Sequence, residues 1–295
     1  MAIAKQTGVA VANIGKRSGR TWTAISKSKG IQRVAAATAT TYLSEDWSNQ
    51  GYTTQTLPTG WTVGTDSSVV YGMPGVFSQT YDVSPTTSTA VGSAGWKFDY
   101  NATGSSGTGP NGGLSGGVDA TTGTQSSTNR YAYYEASGSL GYNATSGKAH
   151  ALVTPVLNFS NALSNNTLKL TFWFHIYSNG GSGNSGAHDF GVAATTSATD
   201  SSAISETVTG SGLSSVTGGG LDITYWTSDD GSTTSTGNRI SGQQQSSNAA
   251  LWRKAEVDLN DLAGESSVYI HFVLGDVRYF HGDFGLDGIK IVGEE

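Results

Sequence analysis

Residues 251–292 read LWRKAEVDLNDLAGESSVYIHFVLGDVRYFHGDFGLDGIKIV. Ala255, Val257 and Leu259 alternate with Lys254, Glu256 and Asp258. Val268, Ile270, Phe272 and Leu274 alternate with Tyr269, His271 and Val273. A period of two is the mark of a strand buried on one face. In the closing GLDGIKIV the same period puts Asp287 on the side of Ile289 and Ile291. A carboxylate on an apolar face has to be paired, hydrogen-bonded or bound to a metal. The stretch therefore predicts sheet, with one anomaly in its last strand.

The best strand upstream is LKLTFWFHIY, residues 168–177. Leu168, Leu170, Phe172, Phe174 and Ile176 share its core face. Lys169, Thr171, Trp173, His175 and Tyr177 share the other. That second row is either the lining of a shallow binding face or a second layer packed under a loop. Packing is the favoured reading, because large outward rings are usually covered. Shorter strands are expected at 61–63, 68–71, 96–100, 130–136, 149–158, 190–194 and 221–227. Gly/Ser/Thr/Asn-rich loops are expected over 101–117 and through much of 178–247. Many short strands with such turns predict an all-β, antiparallel sandwich.

The composition sets limits on chemistry. With 36% hydrophobic residues the core has to be economical, and 13 Tyr, nine Phe and seven Trp supply large buried areas. The absence of cysteine excludes disulfides, a thiol nucleophile and Cys-based zinc sites. No apolar run is long enough to span a bilayer, and none near the N-terminus is long enough for a signal-peptide core. The expectation is a protein with no membrane span and no signal peptide.

Charge divides the chain. Residues 1–44 hold Lys5, Lys16, Arg17, Arg20, Lys27, Lys29 and Arg33 and no acid, whereas all 22 acids and nine bases follow. A basic arm precedes an acidic body, and such an arm docks on an acidic surface or on nucleic acid, or is a solvated tail. The arm repeats every 11 residues: Ile3-x-Lys5-x-x-Gly8, Ile14-x-Lys16-x-x-Gly19 and Ile25-x-Lys27-x-x-Gly30. Glycine suits a turn, isoleucine an anchor and lysine an exposed charge, so the unit reads as a repeated contact or a strand–turn. Residues 32–41, QRVAAATATT, read as a linker. The division expected is an anchoring arm and linker over 1–41 and one sandwich domain over 42–295.

The repeat resembles the I-x-K-x-x-G repeats at the ends of structural proteins from tailed bacteriophages. The body resembles the MAM domain, an extracellular jelly roll, through a series of short pieces in order. These are Trp96-Lys97-Phe98, Gly109-Pro110, Asp119-Ala120-Thr121-Thr122-Gly123 and Tyr131 to Ser137. Leu152-Val153-Thr154-Pro155, Phe172-Trp173-Phe174-His175, Ser241-Gly242-Gln243, Trp252 and Gly282-Asp283-Phe284-Gly285-Leu286-Asp287-Gly288-Ile289 follow. The chain departs from the family in lacking its cysteines, in Ala120 for its histidine and in Gly288 for its second terminal aspartate. The resemblance implies a jelly-roll sandwich over about 43–292. It also makes Glu45, Asp46 and Asp287, with Asp119 and Asp283 behind them, candidate ligands of a structural Ca²⁺, since separated hard oxygens suit that ion. The alternative for Asp287 is acceptance of backbone N–H bonds with no metal.

Signals for catalysis are weak. His150, His175, His188, His271 and His281 form no HExxH or i,i+4 pair, and there is no G-x-S-x-G elbow, phosphate loop or dinucleotide fingerprint. Neither an enzyme nor an organic cofactor is expected. The two resemblances imply a bacteriophage virion part: a head fibre, decoration protein or tail appendage, anchored by its arm. Its partners would be other virion proteins and copies of itself. Host-surface glycans are further candidates, with Trp173, His175, Tyr177, Tyr225 and Trp226 as the rings that would stack on sugars. Nucleic acid would enter only through the arm. The alternative is a carbohydrate-binding module or adhesin of a bacterial surface.

Overall fold

The computed structural model describes residues 22–28, 31–50, 57–63, 70–73, 77–81, 95–103, 107–135, 148–178, 189–195, 221–275 and 283–295. Repeat positions Ile3, Lys5, Gly8, Ile14, Lys16, Gly19 and Gly30 lie outside these residues. The first strands are β1 (Trp22–Ser28), β2 (Ile31–Ala36), β3 (Ala39–Glu45), β4 (Thr62–Val63), β5 (Val70–Met73) and β6 (Phe77–Tyr81). Then come β7 (Gly95–Asp99), β8 (Gly113–Leu114), β9 (Gln125–Ser126), β10 (Tyr131–Glu135), β11 (Lys148–Val153), β12 (Lys169–Ile176) and β13 (Asp189–Thr195). The chain closes with β14 (Ile223–Trp226), β15 (Thr234–Gly237), β16 (Ile240–Ser241), β17 (Arg253–Asp258), β18 (Tyr269–Gly275) and β19 (Phe284–Glu294).

Two sheets make an antiparallel jelly-roll sandwich. The front sheet runs β15-β14-β17-β12-β19-β10-β7, with β3 also on β19. The back sheet runs β16-β13-β18-β11-β6-β5, with β4 on β11, and among the described residues its single parallel pairing joins β6 to β11. Leu168, Leu170, Phe172, Phe174 and Ile176 enter the core as their alternation predicts, joined by Ala255, Val257 and Leu259 and by Val268, Ile270, Phe272 and Leu274. Aromatic rings stitch the sheets together. Phe190 of the back sheet stacks on Phe284 of the front at 4.4 Å, and Phe172 meets Phe272 edge-on at 5.6 Å. Such pairs add about 0.5–1.5 kcal/mol beyond the area they bury.

The segment read as a linker is strand. Ile31–Ala36 is β2, and Ala39–Glu45 pairs with the last strand from Ala39↔Glu294 to Ile289↔Glu45. Its Ala/Thr composition hides this from pattern reading, because an edge of β19 supplies the partner. Beyond the start of β3, the amide of Thr38 donates to the Glu295 carbonyl at 3.0 Å and the Glu295 amide returns the bond at 2.9 Å. The two ends of the sandwich chain are thus fastened together where the arm begins. Among the described residues the arm strands β1 and β2 pair only with each other, with Ile25 opposite Val34 and Lys27 opposite Gln32.

β19 decides the architecture, and it corrects the reading of Asp287. Against β12 its register runs Trp173↔Asp287 and then Thr171↔Lys290, so β19 carries one extra residue. Gly288 sits in that bulge at φ +55, a left-handed conformation that suits glycine. A bulge reverses the side-chain alternation beyond it. Phe284 and Leu286 before it, and Ile289 and Ile291 after it, all reach the core. Asp287 therefore lies on the opposite, outer face, beside Trp173. Along the same edge of β19, β10 pairs with Phe284 to Leu286 and β3 takes over from Ile289. The bulge is the junction between them.

Candidate functional site

Outer faces of sandwiches usually meet water, yet residues 284–289 are all buried. A second layer covers them. It consists of the β8–β9 ribbon, a 3-10 turn at Gly117–Asp119 and the segment 243–252. Beneath it a second apolar cluster holds Leu114, Tyr131, Tyr133, Trp173 and Trp252. The Gln245 side chain fixes one margin: it accepts from the Ile176 amide at 2.6 Å and donates to the carbonyls of Phe174 and Leu251. Gln125 donates to the carbonyls of Asn248 and Ala250, and the Trp252 indole to that of Gly112 at 3.0 Å. Apart from the bond between Gln245 and Leu251, which is internal, these ties join the 243–252 segment to the strand below it or to the ribbon beside it.

This layer settles the placement of the rings offered as a sugar platform. Trp173 and His175 project outward from β12 but are 7% and 0% exposed, so the packed-layer reading describes them. Tyr225 and Trp226 are successive residues of β14 and face opposite ways. Tyr225 packs on the core, edge-on to Phe174 at 6.1 Å. Trp226 faces outward, half-buried, with the Lys254 ammonium 5.2 Å from its ring centre. Lys254 also meets Glu256 at 3.0 Å. Tyr177 is half-buried. The five rings do not form one face, and among the described side chains no aromatic ring is exposed.

The five acids offered as cation ligands are dispersed in role. Glu45 accepts from the Trp47 amide at 2.8 Å and Asp46 from the Ser48 amide at 3.1 Å, so both cap the turn that follows β3. That turn holds Trp47 at φ +59, an expensive conformation for a bulky residue. The strain is offset by burial of Trp47 against Trp61 and Phe98 and by its indole bond to the Leu286 carbonyl at 3.1 Å. Asp119 pairs with Lys290 at 2.7 Å across the surface. Asp283 accepts from the Thr108 hydroxyl at 2.9 Å. Asp287 accepts from the Leu114 amide and from the Gly288 amide, each at 2.7 Å. The carboxylate therefore clamps the covering ribbon to the last strand.

Glu45, Asp46 and Asp287 still influence one another. Burial pushes the Asp287 carboxyl well above the usual range; its two backbone donors pull it down, and Asp46 and Glu45 push it further up. Burial also raises Glu45, with Asp46 adding like-charge repulsion. A metal at this junction would need three oxygens converging on one point. Among the described residues no three acidic or imidazole side chains come close enough to hold an ion. At least one oxygen of each of these carboxylates accepts from a backbone amide, Lys290 or Thr108. Adding 5 mM CaCl₂ or 5 mM EDTA is expected to leave the melting temperature within about 1 °C, since an ion that binds only the folded state raises it by mass action. A rise of several degrees with calcium, removed by the chelator, would return these acids to a cation site.

Two further buried bases stand out. His175 lies edge-on to Trp252 at 5.7 Å, and neither ring nitrogen has a partner in hydrogen-bonding geometry. Burial lowers it to about 3; the nearby carbonyls of Ala250 and Ser247 only partly oppose this, and Arg253 adds to it. His271 is lowered to about 3 by burial and shares a 2.7 Å hydrogen bond with the Thr195 hydroxyl. Strand periodicity could not single out Gln245 or the 243–252 segment, whose work is to cover a face, and Trp252 stands out only through the MAM resemblance. The bulge had one visible signal, an Asp-Gly pair inside a strand.

The pieces behind the MAM resemblance fall on β7 (residues 96–98), β10 (131–135), β11 and its end (152–155), β12 (172–175) and β19 with its approach (283–289). No family model matches the chain, and no curated protein matches it. Among solved structures, the K3 cleaved adhesin domain of Lys-gingipain from Porphyromonas gingivalis is similar at 14% identity and a TM-score of 0.37. That match covers 86% of this chain and 99% of the other. A cyclase from Fischerella sp. TAU is similar at 12% identity and a TM-score of 0.41, over 86% of this chain and 97% of the other. A Stig cyclase from the same source, with a bound pyrrolidinylidene-indole, gives 12% and 0.38 over 86% and 98%. At these scores the likenesses carry no argument about activity.

Proposed function

We propose that the chain is a non-enzymatic structural protein of a bacteriophage virion: a head fibre, decoration protein or tail appendage. Its N-terminal arm anchors it in the particle and its sandwich projects outward. One observation carries this reading, the polarity of β19. At its C-terminal end Glu294 and Glu295 meet β3 and Thr38, where the arm leaves the sandwich. At its N-terminal half the covering layer is clamped through Asp287. Glu294 and Asp287 are seven residues apart, about 23 Å of strand. The arm and the covering layer thus attach towards opposite ends of β19, as an anchored and projecting part requires. The basic repeats supply the anchor's chemistry, and the jelly roll is a MAM-like body without the family's cysteines.

A chain lacking residues 1–36 tests the proposal. It retains β3, the clamp between Thr38 and Glu295 and both sheets, so its melting temperature is expected to stay within about 2 °C of the full chain's, the effect of losing a marginal hairpin. Its incorporation into particles is expected to vanish. Undiminished incorporation would defeat the anchoring role. A bacterial surface adhesin that binds carbohydrate is the second reading. The half-buried Trp226 and Tyr177 are its remaining footholds, since Trp173 and His175 are covered and Tyr225 faces the core.

A further inference from the structure

The β1–β2 hairpin has no partner strand among the described residues, and an isolated two-stranded hairpin is marginally stable in water. It is also basic. Lys27 and Arg33 stand in its paired register, Lys29 lies between its strands in sequence, and no acid precedes Glu45. A surface that completes it should be acidic.

Such a surface exists on the chain itself, at the end of the sandwich from which the arm leaves. The segments 157–169, 258–268 and 292–295 meet there: Leu163 donates to the Glu294 carbonyl, Phe159 to that of Glu265, and the Leu168 amide to the Asn260 side chain. They carry Asp258, Asp261, Glu265, Glu294 and Glu295 against Lys169 alone. Asp258, Asp261 and Glu295 are exposed, and Glu265 and Glu294 are half-buried. The tether between the hairpin and this end of its own sandwich is short. Only residues 37 and 38 separate β2 from β3; Ala37 is buried, and Thr38 is held by its two bonds to Glu295.

We infer that the basic hairpin of one copy docks on the acidic end of the sandwich of a second copy, so that copies join arm to body. The inference rests on the anchoring reading and names the partner surface. A contact of unlike patches is heterologous and closes into a ring or continues as a filament. Attraction between exposed charges is screened over about 8–10 Å at physiological salt, so the assembly is salt-sensitive.

Sedimentation velocity of the full chain at 50 mM and 500 mM NaCl is the test, with two charge-reversed variants. One is Lys27→Glu with Arg33→Glu. The other is Asp261→Lys with Glu265→Lys. The expected result is self-association at low salt, at least tenfold weaker at high salt, and lost in either variant alone. Mixing the two variants restores a hetero-association, which a misfolded variant could not do. A full chain that is monomeric at both salts overturns the inference, as does a mixture that stays dissociated. Binding of duplex DNA by such a monomer would assign the arm's charge to nucleic acid instead. Particle incorporation separates the two claims. A monomeric chain that still enters particles refutes copy-to-copy docking alone, whereas one that fails to enter refutes the anchoring as well.

Discussion

Replacing Gly288 by valine is expected to lower the melting temperature by roughly 10 °C, at about 2–4 °C per kcal/mol for a domain of this size. Two costs add. Gly288 holds φ +55, which strains a β-branched residue by about 1–3 kcal/mol. A Cβ at this position would also lie 2.9 Å from Leu114 Cδ2, 2.9 Å from Trp173 Cδ1 and 3.1 Å from the Gly117 carbonyl oxygen. Trp173 and Leu114 are buried between sheet and ribbon, so neither can yield cheaply, and overpacking adds about 1–3 kcal/mol. Gly264 provides the control. It has φ +96, and a Cβ there would meet nothing within 4 Å, so Gly264→Ala faces backbone strain without crowding. Thermal unfolding should show a large loss for Gly288→Val and a small one for Gly264→Ala. Equal losses would mean that the bulge does not seat the ribbon.

Acidification should destabilise the fold between pH 6.5 and 3, and His175→Leu should reduce that loss. His175 and His271 take up protons near pH 6.5 in the unfolded chain but only near pH 3 in the folded one. Above pH 6.5 neither residue contributes pH dependence. As pH falls below 6.5 the unfolded state gains protons that the folded state refuses, and each histidine costs up to about 1.4 kcal/mol per pH unit. Asp287 and Glu45 act in the opposite sense. Their folded carboxyls are raised, so they cost stability above their unfolded range and release that cost as pH falls towards it. From pH 6 to 5 the buried histidines and these carboxyls oppose one another, and comparison with His175→Leu isolates the share of that histidine. Since neither nitrogen of His175 has a partner, leucine removes a buried polar group without leaving another unsatisfied. Denaturant unfolding from pH 7 to 4.5 should show a shallower slope for His175→Leu than for the parent. Parallel slopes would mean that His175 is solvated when folded.

Legibility in the sequence follows a physical rule. Residues 168–176, 255–259 and 268–274 are unbroken ladders with one core face, so their period of two reads directly onto the sandwich. Asp287 is misread because the bulge at Gly288 shifts the count by one residue, and a single left-handed glycine leaves only the Asp-Gly pair as a trace. The covering layer is illegible for a different reason. Its cohesion lies in Gln125, Gln245, Trp252 and the carbonyls they meet, contacts over more than a hundred residues in some cases with no periodicity to betray them. Because that layer is invisible, Trp173 and His175 look available when they are buried. Tyr225 and Trp226 are separable by alternation alone, since neighbours on a strand cannot share a face. The stretch 32–41 lacks large apolar residues apart from Val34 and reads as a linker, yet the edge of β19 recruits its end as β3.

The most direct measurement is electron microscopy of particles carrying the full chain, with an antibody fragment raised against the exposed turn at residues 229–232 beside β14 as a fiducial. The sandwich should stand off the particle with Thr38 and Glu295 towards the surface and the end bearing Asp283 and Asp287 outward. Sandwiches mounted with Asp283 and Asp287 inward, or particles bearing none, would contradict it.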